Sequence, residues 1–470
     1  MLDAKKVILT LADNTTNTIT DSSRLSTEED YSAAIYSKED LIINGNGTLN
    51  VNAGYRNGIK STDDCIIVSG TLNITSTEDG IIGKDLCGIV AGDININAGS
   101  DGIKSTYDTD TTKGNVIIEG GNITIKASND GIQAENILVI NDGTINIKTN
   151  NGAADTTQTH IDNMDMGRGG FGFNNNKTTT TTDDTSESRK GIKAGNMLII
   201  NDGDITIDSD DDSVHCNSVI YIYGGTINAA TGDDGVHADD LLTVNGGTIN
   251  ITQCYEGLEA DDIVINDGDI SVVSSDDGIN SSDGSITING GNLLINASGD
   301  GLDANGSIII NGGYIVVLGP TSDGDTAIDY DDSCTINGGT VMAFGSSGML
   351  EIPKGASNGA CIVTAFTSVS GGSKYTLSDS NGNEILSYTP SKAYAAAIVY
   401  SDKITTGNTY NITAGSTTLS IEVTSDVTSN VSSGFGGAGG MNKPGNGGSG
   451  MPNMNNGSSN GNAPQMNNRM

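Results

Sequence analysis

The stretch VIYIYGGTINAATGDDGVHA, residues 219–238, decides how this chain folds. Its apolar residues come in three short alternating runs: Ile220 and Ile222, then Ile227 and Ala229, then Val236 and Ala238. Tyr221, Tyr223, Thr226, Asn228 and His237 stand between them and face the other way. Period-two alternation interrupted by Gly, Asn and Asp predicts three short strands joined by turns. Such a unit cannot bury its apolar face alone, so it must stack on neighbours of the same kind.

Those neighbours exist. Taking the last Gly of the "GGTIN" phrase as a mark, copies fall at Gly70, Gly92, Gly121, Gly143, Gly203, Gly225, Gly247, Gly268, Gly291, Gly313 and Gly339, with a looser one at Gly47. Most steps are 21 to 23 residues, with insertions in the steps of 29, 26 and 60. The fold expected is all-β: a right-handed parallel β-helix of about twelve coils, roughly 55–60 Å long at ~4.8 Å per coil. A leucine-rich repeat would need a Leu ladder, which the units lack. Asn141, Asn201, Asn245, Asn266, Asn289, Asn311 and Asn337 stand two places before their marks. Asn and Gly tolerate the positive φ of a tight corner, and stacked Asn side chains can bond along the axis.

Composition agrees. The chain has 470 residues with 65 Gly, no Trp and a formal net charge of −37. Nothing basic is available in bulk to neutralise phosphates, which argues against nucleic acid and anionic membranes. No apolar run is long enough to span a membrane. A hydrophobic fraction of 35% in so regular a pattern is not that of a disordered acidic chain.

Four regions are expected. Residues 1–40 form an N-terminal cap containing a short hairpin, since an open solenoid end must be covered. Residues 41–349 are the β-helix, with a long loop inserted at 150–188. Residues 350–424 lose the repeat and read as a small C-terminal antiparallel β module, with a hairpin turn at Asp379–Asn383. Residues 425–470, rich in Gly, Asn and Met, read as a disordered tail. No secretory signal precedes the cap, so a mature or trimmed chain is expected, extracellular or attached to a cell surface. Cys65, Cys87 and Cys334 occupy positions that other units fill with Ile or Leu, and Cys216 takes the place of Ala238, so these cysteines read as core residues rather than disulfides or zinc ligands.

Chemistry concentrates in an acid column nine places after successive marks: Asp79, Asp101, Asp130, Asp212, Asp234, Glu256, Asp277 and Asp300. Asp211, Asp233 and Asp276 double three of these. Three places further on, pointing outward, come Lys104, Gln133, His215, His237, Glu259, Asn280 and Asp303, and Lys60 and Lys193 belong to the same column. Carboxylates roughly 5 Å apart on adjacent coils repel by about 3 kcal/mol per pair at an effective dielectric near 20. A bound cation would relieve this, and calcium, with six to eight oxygen ligands, fits better than zinc or magnesium. The candidate clusters are Asp276, Asp277, Asp300 and Asp303; Asp211, Asp212, Asp233 and Asp234; and Asp79, Asp101 and Asp130 with Asp108 and Asp110 from an inserted loop. Turn-forming Asp-Gly explains one acid per coil but not the doublets. His215 and His237 read as a surface column beside acids, with a catalytic or metal-binding pair as the alternative.

The phrases Asp-Gly-Ile-Lys-Ser at 101–105, Asp-Asp-Gly-Val-His-Ala-Asp-Asp at 233–240, Gly-Gly-Thr-Ile-Asn at 246–250 and Tyr-Glu-Gly-Leu-Glu at 255–259 resemble the β-helical carbohydrate-binding-domain family. The resemblance, running from about residue 5 to 424, implies a pectate-lyase-like fold, bound calcium, and binding of cellulose and polygalacturonate. The related family 9 pectate lyases are similar at Asp277, Asp300 and Asp303, except that Gly299 replaces the first Asp of a doublet; at Asp212, Asp233 and Asp234, His237 takes the last place. The reading that follows is a non-catalytic, calcium-dependent binding protein for acidic plant cell-wall polysaccharide, monomeric, with Tyr221, Tyr223, Lys104 and His237 as sugar contacts. The alternatives are a calcium-dependent β-elimination lyase using Lys104 or Lys193 as base, and a structural or adhesive surface solenoid.

Overall fold

The computed structural model describes residues 5–22, 31–154 and 188–431. Each coil has three strands, as the stretch 219–238 predicts: Val219–Ile222, Thr226–Thr231 and the run opening at Val236. Each pairs in parallel with its equivalent one coil away, for example Thr226↔Thr248 and Val236↔Leu258. Among the described residues the only helical element is the 3-10 turn Gly152–Ala154. One sheet holds a run of parallel strands from Thr16–Asp21 to Thr340–Gly345, which makes thirteen coils.

The additional coil corrects the expected N-terminal hairpin. Lys6–Leu11 pairs in parallel with Asp40–Gly45, and Thr16–Asp21 pairs in parallel with Thr48–Ala53. The two strands turn a corner and lie on different faces, so this segment is itself the first coil. Val7 and Leu11 enter the common core as later aliphatics do.

Inward residues from all three faces form one continuous column of Ile, Val, Leu, Ala and Cys. All six cysteines are buried and free, and Cys65 pairs in register with Cys87. At the corners it is the mark glycine, not the preceding Asn, that adopts positive φ, as at Gly225 (80°) and Gly268 (127°). The Asn side chains do the stacking: Nδ2 of Asn266, Asn289 and Asn311 each donates to Oδ1 of the Asn one coil earlier, at 2.8–2.9 Å.

At the far end Tyr394–Ser401 pairs antiparallel with the last coil's Thr340–Gly345 and with Ala360–Val369. A separate four-stranded antiparallel sheet contains Tyr375–Asp379, Glu384–Tyr388, Thr409–Ala414 and Thr417–Glu422. This is the expected module, with the Asp379–Asn383 turn closed by the Asp379 amide donating to the Asn383 carbonyl. The tail begins later than 425, because Val427–Ser429 pairs with Ala360–Val369. Residues 432–470 and 155–187 lie outside the described residues, and with them the readings of a disordered tail and most of the inserted loop.

Candidate functional site

The corner between the strand Thr226–Thr231 and the strand opening at Val236 carries the acid column. Its first task is structural. Oδ1 of Asp79 accepts the amide of Asp101, Oδ1 of Asp101 that of Asp130, Oδ1 of Asp212 that of Asp234, and Oδ1 of Asp277 that of Asp300, at 2.6–3.1 Å. One oxygen of each of these four carboxylates thus ties a coil to the next, which explains an acid on those coils without a cation. The glycine after each acid lets the coils approach: a Cβ on Gly235 would stand 2.5 Å from the Gly257 carbonyl oxygen and 2.4 Å from the Ile251 side chain.

What remains is the second oxygen of each acid, and the three candidate clusters use it differently. Asp277, Asp300 and Asp303 each bring an oxygen within 4.8 Å of the others. Burial first, then neighbouring carboxylates, pushes Asp277 and Asp300 up to about 8 and Asp303 up to about 6. The charged groups acting most on them are all acids: Asp276, Glu256, Asp329, Asp331 and one another. Gly299 is the cradle beneath, since a Cβ there would meet Asp277 Oδ1 at 2.4 Å and Asp276 Oδ1 at 2.5 Å. The residue that departs from the lyase pattern is the one that leaves these two carboxylates room. An uncompensated set of carboxylates around a glycine suits an oxygen-seeking cation such as calcium.

Asp211, Asp212 and Asp233 also converge, but a cation from the chain itself is already among them. Lys190 Nζ donates to Asp211 Oδ1 at 2.9 Å and to Asp212 Oδ2 at 2.6 Å. Burial opposes charge on both partners, yet Lys190 is raised by Asp212 and Asp211, and Asp212 is held well below the usual range by Lys190, His215 and His237. Lys190 was missed by sequence reasoning although a sign of it was present: Lys190-Gly191-Ile192 stands where other coils carry acid-Gly-apolar.

Asp79, Asp101, Asp108 and Asp130 belong to none of the metal-capable trios among the described residues. Asp101 is bound by Lys104 Nζ at 2.5 Å, and Asp130 accepts from Ser188 Oγ and the Lys190 amide, both at 2.8 Å. Asp108 and Asp110 line a cleft at a different corner with Tyr107, Glu135, Asn136 and Asn196.

The outward column reads, coil by coil, Lys60, Ile82, Lys104, Gln133, Lys193, His215, His237, Glu259, Asn280, Asp303 and Asp329. One ridge therefore passes from lysines through histidines to carboxylates. Tyr221 and Tyr223 stack on each other with ring centroids 6.3 Å apart. They sit on and beside the neighbouring strand Val219–Ile222, past the Asn217–Ser218 corner, so the structure does not place them on the ridge with Lys104 and His237.

Comparison with known proteins turns this geometry into a family. Residues 1–235 and 233–352 match the profile of the family described as carbohydrate-binding domain-containing protein. The chain belongs to this family. The match covers the solenoid and stops at its end, so the C-terminal antiparallel module lies outside it, short of the expected 424. A carbohydrate-binding domain-containing protein of Acetivibrio thermocellus is 39% identical over 75 residues, 15% of this chain and 26% of that relative. The chain thus spans about a quarter of the length of the curated relative it matches. No solved structure matches at a significant level.

Proposed function

We propose that this carbohydrate-binding domain protein is a calcium-dependent, non-catalytic binder of acidic plant cell-wall polysaccharide, polygalacturonate or pectin, with cellulose as a secondary ligand. It acts outside the cell or at its surface, as a monomer. The observation that carries this reading is the Asp277, Asp300 and Asp303 trio over Gly299, whose effective neighbours are all acidic. A protein of net charge −37 repels a polyuronate. Calcium held by the trio and still open to further oxygens reverses the local field and can bridge to a uronate carboxylate. At the other end of the ridge Lys60, Lys104 and Lys193 offer direct cationic contacts.

Elimination chemistry finds less support. A base must be deprotonated and must stand beside the cation. Burial lowers Lys104, but Asp101 more than offsets this and holds it protonated, several coils from the trio. Lys193 Nζ donates to Ser188 Oγ at 3.2 Å, also remote from the trio.

The deciding experiment is a glycan array, followed by calorimetry on polygalacturonate, each run with calcium and with chelator. Binding that chelator abolishes supports the proposal. Binding indifferent to chelator, or an ultraviolet signal from unsaturated products, overturns it.

A further inference from the structure

The midpoint of the ridge holds a second set of donors, different in kind from the all-oxygen trio. His215 and His237 are in register on adjacent coils, with ring centroids 4.9 Å apart and planes at 77°. His215 Nδ1 lies 2.8 Å from Asp212 Oδ2. His237 Nδ1 lies 3.3 Å from Asp234 Oδ2, 3.3 Å from Glu259 Oε2 and 3.8 Å from Asp212 Oδ2. Both trios, Asp212 with His215 and His237, and Asp234 with His237 and Glu259, keep their donor atoms within 4.8 Å and share His237.

A second observation concerns how His215 is held. Its Nε2 is 2.9 Å from Asn217 Oδ1, which leaves Nδ1 turned toward the acids. That nitrogen is buried and makes no well-formed hydrogen bond, with Asp212 Oδ2 2.8 Å away. A cation shared between the two, a proton or a metal ion, is what such a contact calls for. An imidazole whose outer N–H is fixed by a carbonyl oxygen while the inner nitrogen faces acids is how metal-ligating histidines are oriented.

We propose that Asp212 Oδ2, His215 Nδ1 and His237 Nδ1, completed by Asp234 or Glu259, bind one divalent transition-metal ion of the zinc class, separate from the all-oxygen calcium trio. Two imidazole nitrogens with carboxylates select zinc, cobalt or nickel over calcium. Bonds of about 2.0–2.1 Å in tetrahedral geometry place ligand atoms about 3.4 Å apart. The 3.3 Å and 3.8 Å separations around His237 bracket that edge. Lys190 Nζ bonds Asp211 Oδ1 as well as Asp212 Oδ2, so its ammonium keeps a carboxylate partner when a metal takes Asp212 Oδ2. The strand Thr248–Cys254 carries a bulge between Ile251 and Cys254 that leads the chain into Glu256 and Glu259, a distortion typical of strands next to binding sites.

The rival occupant is a proton. Burial disfavours charge on His237, but Asp234, Asp212 and Glu259 push it up to about 10, so an imidazolium would also satisfy these acids. The test is a cobalt titration of the full, untagged, chelator-treated chain in excess calcium, read by visible absorption and by calorimetry with zinc displacement. One cobalt ion with tetrahedral-type bands, displaced by zinc, is expected. His237→Gln, at a partly buried position, should weaken uptake by at least about 10–100-fold, and His215→Gln likewise. Glu384→Gln, in the C-terminal antiparallel sheet, should leave it unchanged. Absence of cobalt bands in the wild type overturns the proposal. So does uptake that survives His237→Gln in a protein whose circular dichroism is native, whatever His215→Gln does to folding. Loss of calcium binding alone, with cobalt uptake intact, would sink the polysaccharide reading and leave this site standing.

Discussion

Oδ1 of Asp277 accepts the backbone amide of Asp300 one coil on, at 2.6 Å. The same carboxylate that holds two coils together thus keeps only its other oxygen for a ligand. Asp277→Asn retains an oxygen for the amide but loses the charge, whereas Asp277→Ala loses both. Calorimetry should show calcium affinity falling by at least about 10–100-fold for Asp277→Asn and for Asp300→Asn. Thermal stability in chelator should stay near wild type for Asp277→Asn and fall for Asp277→Ala.

The pH dependence follows from the raised carboxylates. Asp277 and Asp300 at about 8 and Asp303 at about 6 stand above the ordinary ~3.9 of the unfolded chain. Burial and acidic neighbours raise Asp233 and Glu259 to about 8 and Glu256 to about 9 as well. The cation-free folded state therefore binds protons that the unfolded state releases, and stability is lost as pH rises from about 5 through about 8. Calcium needs the deprotonated forms, so the rise in melting temperature on adding calcium should grow over the same window. Scanning calorimetry from pH 5 to 9, with and without calcium, checks this; a chelated protein that gains stability with rising pH would contradict it.

Lys190 does at one cluster what we assign to calcium at another. Its side chain is 14% exposed and that of Asp212 only 2%, so Lys190→Met strands a buried charge. Removing one partner of such a pair costs about 3–5 kcal/mol. The melting temperature in chelator should drop accordingly. Added divalent cation should restore part of it, because Asp211, Asp212 and Asp233 then form an uncompensated trio. No loss in chelator would show that the pair is immaterial to stability.

Close approach at the acid-Gly corner gives a prediction independent of any ligand. A Cβ at Gly301 would stand 2.1 Å from Val317 Cγ1 and 2.5 Å from the Ala327 carbonyl oxygen. Gly301→Ala should destabilise by about 1–3 kcal/mol or more, since backbone has to shift. Chemical denaturation measures it, and a neutral effect would mean that the coils are less tightly stacked than described.

The six cysteines should be silent to a thiol reagent until the protein unfolds. All are buried and free, and burial pushes Cys87 and Cys334 up to about 12. Thiolate, the reactive form, is then negligible at neutral pH. Six thiols titrating only in denaturant is the expected result, and rapid reaction of any one in native buffer would refute it.

The sequence by itself determined the solenoid. Twenty-odd-residue steps, alternation within Val219–Ala238 and glycine at every mark leave a stacked parallel architecture as the way to bury so many isolated aliphatics, and Cys65, Cys87, Cys216 and Cys334 fall into the same pattern. It also located the acid column, because register between coils is one-dimensional and can be counted. The N-terminal segment looks like a hairpin in sequence because Val7–Leu11 and Thr16–Thr20 lack the "GGTIN" phrase, and a parallel partner some thirty residues away leaves no local mark. Only the tertiary structure decided what each acid does. Hydrogen bonds along the axis consume one oxygen of Asp79, Asp101, Asp212 and Asp277, Lys190 reaches Asp211 and Asp212 from the coil below, and Lys104 is tied to Asp101. Charge counting cannot separate a carboxylate already paired from one still wanting a cation. That difference lies in ångström-scale direction and burial, which leaves the Asp277, Asp300 and Asp303 trio and the His215–His237 pair as the places where this ridge still has ligands to offer.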